Sequence, residues 1–242
     1  MLWGYLLRII KYKRISSTNT KSKSLAEEGA AEWTVVVSEV QTEGRGRSGR
    51  TWDSPKGGLW FSVIIRPKIP VEQIPVLRFL FANALREGVE RVSTVHPEVK
   101  WPNDLVVNSK KLAGILIETK ISGSKVVYAI VGVGLNVNLA AKELPLGATS
   151  IFIDTSQKIG LEDTLSSVLS AFAEHYGSYW DPKSIISDWW NYCAHRMKPV
   201  TIKTGKRLVK GKNIGVNSDG SIVIEMDNRI ITVTDGTLGL DT

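Results

Sequence analysis

Gly44-Arg45-Gly46-Arg47-Ser48-Gly49-Arg50 alternates glycine with guanidinium groups and has no carboxylate through Thr51. Glycine lets a backbone bend closely around an anion, and the arginine fork grips its oxygens in pairs. Such a loop suits a phosphate whose charge changes during a reaction. The letters also match GxGxxG, but a dinucleotide fold needs a helix to open here and a carboxylate about twenty residues on. Pro55 and Gly57-Gly58 follow instead and lead into a strand. The Rossmann reading therefore fails on context. Taken alone, the loop is also compatible with a solvated surface or an RNA contact.

Three further segments carry polar chemistry at strand ends. In Lys100-Trp101-Pro102-Asn103-Asp104 the proline forces an extended turn, which places an amide and a carboxylate together. An aspartate beside bound phosphates can hold magnesium, although a turn capping its own backbone has the same composition. Lys111 opens the apolar run Leu112-Ala113-Gly114-Ile115, where Gly114 admits close approach of a ligand to the backbone. Gly132-Val133-Gly134-Leu135-Asn136 pairs two glycines with an amide at another strand end. No GxSxG, HExxH or P-loop is present, His96, His175 and His195 stand apart, and Cys193 has no partner pattern. Charge stabilisation by arginine and lysine is the chemistry left.

These segments need a framework. Length sets its scale, because 242 residues fit one large domain with a small appendage. Hydrophobic residues at 43% and charged residues at 23% exclude disorder and fibrous repeats. No apolar run approaches the roughly 18–20 residues that cross a membrane. A single cysteine, no export signal and no cleavage site imply a reducing cytoplasm. The net charge of +7 favours anionic partners.

Ser16-Ser17-Thr18-Asn19 opens a capped helix predicted over Ile15–Glu32, after a first strand within Met1–Ile10. Trp33–Val40 and Leu59–Arg66 read as strands flanking the loop Gln41–Gly58, which holds five glycines and four basic residues in eighteen. Ile74, Leu77, Phe81, Leu85 and Val89 share one helical face. Strands follow at Asp104–Val107, Leu112–Lys120 and Val126–Val133. Next come an amphipathic helix from Leu161 to Tyr176 and a short helix near Trp189 and Trp190. After Lys198-Pro199, short β runs alternate with turns at Thr204-Gly205, Ser218-Asp219-Gly220, Asp227-Asn228 and Asp235-Gly236. The expected class is α+β, a mixed, mainly antiparallel sheet with helices. Residues 1–195 form the main domain, and residues 196–242 form a small β domain that leans on it.

Together the segments resemble the biotin–protein ligase family. The resemblance rests on Ser16 to Asn19, Gln41, Gly44 to Trp52, Ser54 to Leu59, Lys100 to Leu105, Lys111 to Glu118 and Gly132 to Asn138. It implies a synthetase-like catalytic fold with a C-terminal SH3-like β-barrel. It also implies a two-step reaction: ATP and magnesium convert biotin to biotinyl-5′-AMP, and biotin then passes to a lysine of a biotin carboxyl carrier domain. By resemblance, Ser17, Thr18, Asn19 and Gln41 hold the ureido ring, and Gly44, Gly46, Gly114, Gly132 and Gly134 line the biotin slot. Arg45 and Arg47 close over the adenylate, Arg50 and Trp52 meet the nucleotide, and Lys111 bridges carboxylate and α-phosphate. Asn103 and Asn136 lie on the nucleotide side, with Asp104 towards magnesium. A homodimer is implied as well.

Thr42-Glu43 departs from the small or neutral residues the family places before the loop, and Gly147-Ala148-Thr149-Ser150-Ile151 matches a later family motif only loosely. No helix-turn-helix segment precedes Ser16, so sequence-specific DNA binding is not expected. A lipoate or octanoate ligase of the same fold is the nearest alternative. A nucleic-acid-binding protein is the alternative from another class, but no aromatic residue follows Tyr192 to stack on bases.

Overall fold

The structure is a computed structural model that describes residues 6–178, 180–227 and 229–240. Seven strands form the main sheet: β1 (Arg8–Tyr12), β2 (Thr34–Ser38), β3 (Leu59–Ile65), β4 (Glu98–Lys100), β5 (Asp104–Val107), β6 (Lys110–Ser122) and β7 (Lys125–Leu135). Their order is β1-β2-β3-β7-β6-β5-β4. Only the β1–β2 pair is parallel, so the sheet is mixed and mainly antiparallel as expected.

The centre of that sheet is covered on both faces, which is why every residue of β3 is buried. Alternation sends Phe61, Val63 and Ile65 to one side, where they join the core of α2 (Val76–Glu90) and α4 (Leu161–Gly177). There Phe81 and Phe172 meet with ring centroids 4.8 Å apart. The opposite side carries Ile64, packed with Ala26 of α1 (Thr18–Glu27), and Ser62, the one hydroxyl in the strand.

Helix α1 is shorter at both ends than the sequence predicted. Ser17 caps it, its side chain accepting from the Thr20 amide, and Gly29 at φ +89° turns the chain out of the helix. Ala30 and Ala31 therefore lie beyond it. The first strand is Arg8–Tyr12, while Met1–Tyr5 of the expected strand lie outside the described residues. Two elements had no sequence expectation: β4, and α3 (Ile151–Thr155), which Ser150 caps by accepting from the Ile153 amide.

After α5 (Pro182–Asn191) come β8 (Pro199–Thr204), β9 (Arg207–Val216), β10 (Ile222–Met226), β11 (Arg229–Val233) and β12 (Thr237–Leu240). They form a second, antiparallel sheet in the order β11-β10-β9-β8-β12. Among the described residues β11 and β12 remain its two edges, so a closed barrel is not seen; Asn228 of the expected turn lies outside those residues. Val200, Ile202, Ile222 and Ile224 are fully buried in the same core as the main sheet. No helix among the described residues is long and apolar enough to cross a membrane.

A buried polar knot ties the two sheets together. The His195 ring is fully buried and accepts from the Trp101 amide at Nε2 (2.9 Å), with the Asn213 amide group 2.7 Å from Nδ1. Burial, reinforced by Lys100 and Lys198, pushes the His195 pKa down to about 3, and burial pushes the Cys193 thiol up to about 12. Unfolded, the imidazole takes a proton below its ordinary 6.5, whereas the folded ring stays neutral down to about 3. Stability should therefore fall as pH drops through that window, by about 2 kcal/mol between pH 7 and pH 5. Urea midpoints at both pH values should show this loss, and His195→Gln should flatten it. An equal slope in the variant would assign the dependence to other groups.

Candidate active site

The glycine–arginine loop is folded as a small hairpin. The Gly46 amide donates to the Arg50 carbonyl (2.7 Å), the Trp52 amide to the Gly44 carbonyl (2.8 Å), and Ser48 and Gly49 turn its tip at positive φ. It roofs a cavity of about 410 Å³. The other walls are the start of α1, the paired strands β6 and β7, the β4–β5 turn and the near end of the second sheet.

One end is polar but uncharged. Gln41 Oε1 accepts from the Thr18 amide (2.7 Å) and hydroxyl (3.0 Å), while Gln41 Nε2 donates to Ser54 (2.9 Å). Ser62 lies 2.7 Å from both the Thr18 hydroxyl and Asn19 Oδ1, and Asn19 Nδ2 donates to Glu118 (2.8 Å). The side chains that line the cavity here are thus preset by partners behind them. Two close approaches shape the floor. A Cβ at Gly132 would fall 1.9 Å from Asn19 Oδ1, and one at Gly134 would fall 2.4 Å from the Trp52 indole. Trp52 also lies 2.8 Å from where a Cβ on Gly114 would be.

The other end is cationic, with Arg47, Arg50, Lys100, Lys111 and Lys203 set against Asp104 and Asp235, while Arg45 stays beside the first end on the Glu118 carboxylate that Asn19 also binds. Lys111 Nζ is 2.9 Å from Asp104 Oδ1 and 4.8 Å from the centre of the Trp52 ring. The Asp104 contact is a close charge pair without hydrogen-bond alignment, since that oxygen has no aligned donor. Burial lowers the Lys100 pKa, an effect that Asp104 opposes and Lys111 reinforces. Arg47 donates to Asn103 (3.1 Å) and pairs with Asp235, Arg50 donates to Thr237, and Arg45 Nη2 lies 3.1 Å from Glu118.

Most of the residues singled out in the sequence meet in this cavity. Ser17, Thr18, Asn19, Gln41, Arg45, Gly46, Arg47, Arg50, Trp52, Asn103, Asp104, Lys111, Gly114, Gly132 and Gly134 all line it. Gly44 and Asn136 are not on its wall. A Cβ at Gly44 would fall 2.2 Å from the Trp52 carbonyl, so that glycine closes the hairpin. Asn136 is buried and donates to the Thr149 carbonyl (2.9 Å), pinning the chain ahead of α3. Residues without a local sequence signal also contribute: Lys203, Asp235 and Thr237 reach the cavity from the second sheet. Ser62 did leave a trace, as a lone hydroxyl in an apolar strand.

A profile of the biotin/lipoate A/B protein ligase family matches residues 12–136, which hold every main-sheet and α1 segment of this cavity. The chain belongs to that family. Among its relatives is the bifunctional ligase/repressor BirA of Bacillus spizizenii, 33% identical over 225 residues, covering 89% of this chain and 69% of the relative. The biotin–[acetyl-CoA-carboxylase] ligase of Paracoccus denitrificans is 30% identical over 224 residues, covering 87% of this chain and 91% of that protein. The biotin protein ligase of Aquifex aeolicus, solved in complex with biotin and ATP, superposes with a TM-score of 0.82 at 27% identity, covering 98% of this chain and 99% of that one. The ligase fold therefore includes the C-terminal sheet as well as the segment matched by the family profile.

Proposed function

We infer that this ligase-family chain is a biotin–protein ligase. It activates biotin with ATP to biotinyl-5′-AMP and passes the biotinyl group to a lysine of a biotin carboxyl carrier domain. One observation carries the reading: a single cavity joins a neutral hydrogen-bonding end to a cationic end, with Lys111 at the start of the latter. A ureido ring has two N–H donors and a carbonyl, and Thr18, Asn19 and Gln41 offer matching groups already oriented by Ser62, Ser54 and Glu118. The dithiolane of lipoate has neither donors nor a carbonyl and would gain nothing from those groups, which favours biotin within the family.

In the first step a biotin carboxylate oxygen attacks the α-phosphorus of ATP and pyrophosphate leaves. Two anions meet, so fixed cations at the developing charge lower the barrier. Lys111 sits where it can face both, and Arg47 and Arg50 cover the phosphate side. In the second step the acceptor amine attacks the mixed-anhydride carbonyl, AMP departs and the amine proton is released. The hairpin keeps water from the anhydride between the two steps. A magnesium ion carried on the nucleotide would be held by Asp104, the carboxylate on the cavity wall beside Lys111. It would neutralise phosphate charge. No cluster of three acidic, His or Cys ligands exists among the described residues.

With biotin and magnesium present, labelled pyrophosphate should exchange into ATP, and lipoate should support exchange at least about a hundredfold more weakly. Equal exchange with both acids, or none with biotin, overturns the assignment.

A further inference from the structure

The roof of the cavity is fastened from outside the main sheet. Asp235 and Thr237, which take Arg47 and Arg50, are neighbours of a single glycine at the foot of β12. A Cβ at Gly236 would lie 2.8 Å from Ile202 Cγ2 and 2.9 Å from the Lys203 carbonyl, so this turn is wedged against β8. Ile202 is fully buried, and Leu238 just beyond is buried too. The arginines are thus tied to framework rather than to another loop.

We propose that Asp235 and Thr237 are positioning residues of the ligation reaction: they hold Arg47 and Arg50 over the cationic end and keep the arginine hairpin shut on the adenylate. The catalytic part rests on the ligase reading; the fastening itself does not. An exposed ion pair alone contributes little and is screened by salt. Here two contacts from one rigid turn restrain one short hairpin, so the ordering lost for the first serves the second as well.

Asp235 has a rival role, that of an anion competing with nucleotide phosphate for Arg47. Two features oppose it. Thr237 fastens the adjacent arginine with a neutral hydroxyl, which competes with nothing. A guanidinium also has five N–H donors, so Arg47 can keep Asp235 and Asn103 and still present the rest to a phosphate.

Asp235→Asn, Thr237→Val and the double variant test this. Both positions are exposed, so folding is not at stake. In the empty protein, trypsin cutting after Arg45, Arg47 or Arg50 follows the open fraction of the hairpin. The double variant should be cut about tenfold faster there, equivalent to about 1.4 kcal/mol in the opening equilibrium. With biotin, ATP and magnesium, its bound biotinyl-adenylate should be lost faster by a similar factor, while the KM for biotin stays within about twofold. Unchanged cutting beside normal adenylate formation overturns the fastening. A lower KM for ATP with the intermediate retained makes Asp235 the competitor instead. Absence of adenylate in the unaltered protein overturns the ligase reading and the catalytic half of this proposal, and is recognisable because the trypsin comparison does not depend on it.

Discussion

Lys111→Ala should form biotinyl-adenylate at least about a hundredfold more slowly than the unaltered protein, in line with the loss of one preorganised charge contact at a transition state. The ammonium has little structural work to do. Its side chain is about 38% exposed, and the backbone around it is held independently by the Lys111 amide to the Gly147 carbonyl (2.8 Å) and the Thr149 amide to the Lys111 carbonyl (2.9 Å). Folding should survive the change. What disappears is a point charge 2.9 Å from Asp104, at the boundary between the neutral and cationic ends of the cavity. Its attraction grows as the carboxylate and α-phosphate converge, so the effect belongs to the chemical step rather than to binding. Arginine at 111 should rescue poorly, because a planar fork does not replace a compact charge between two anions. Lys110 is exposed and off the cavity wall, and Lys110→Ala should stay within a few fold. Single-turnover adenylate formation on the three variants separates these outcomes. If Lys110→Ala were the slow one, the assignment of the site would be wrong.

That contrast between adjacent lysines shows what a sequence can and cannot say. Strand alternation alone puts one of the pair inward, but β5 and β6 shift register beside Leu105 and Val106, so their pairing is not a simple ladder. Strict alternation would group Lys110 with Gly114; the extra residue puts Lys111 there instead, its Cε 3.4 Å from where a Cβ on Gly114 would lie, so the family resemblance and not alternation picks the right lysine. The four chemical segments were legible because each packs its residues within a few positions of one another. The long helices were legible because their apolar faces repeat every three or four residues. Helix α1 ran too long because Ala30 and Ala31 continue an apolar pattern that Gly29 interrupts by conformation. Asn136 looked like a site residue because it follows Gly132 and Gly134, yet it lies off the cavity wall with its Nδ2 donating to the Thr149 carbonyl. Strand β4 is three residues long and exists through pairing with β5, so no local period announces it. Asp235 and Thr237 are the extreme case, about 190 residues from the arginines they hold. Nothing local marks a contact of that range.

Two glycines on one strand should respond differently to the same added methyl group. Gly132 and Gly134 lie on the same face of β7, and a Cβ on either would collide with a cavity side chain: the Asn19 amide at 1.9 Å or the Trp52 indole at 2.4 Å. The obstacles differ in how firmly they are held. The Asn19 amide is fixed by Ser62 at 2.7 Å and Glu118 at 2.8 Å, and is itself buried. Displacing it breaks both bonds and turns the amide away from the neutral end of the cavity. Losing two such bonds lowers stability in the free and the bound protein alike; what biotin loses is the oriented Asn19 amide, with ureido groups left unpaired. Trp52 is held less tightly, since its Nε1 has no partner and its ring rests on Trp60 with centroids 6.4 Å apart. It can swing aside without breaking a hydrogen bond of its indole. Gly132→Ala should therefore weaken biotin binding by about tenfold to a hundredfold, as expected when one or two buried ligand groups lose their partner. Gly134→Ala should weaken it only a few fold. Ser17 still caps α1 in both, so both proteins should fold, Gly132→Ala with the lower melting temperature. Titration calorimetry with biotin, without nucleotide, reads the two affinities directly. Equal losses would mean that the slot is closed by volume alone and that the Asn19 network does not orient the ring. An unimpaired Gly132→Ala protein would place biotin elsewhere in the cavity.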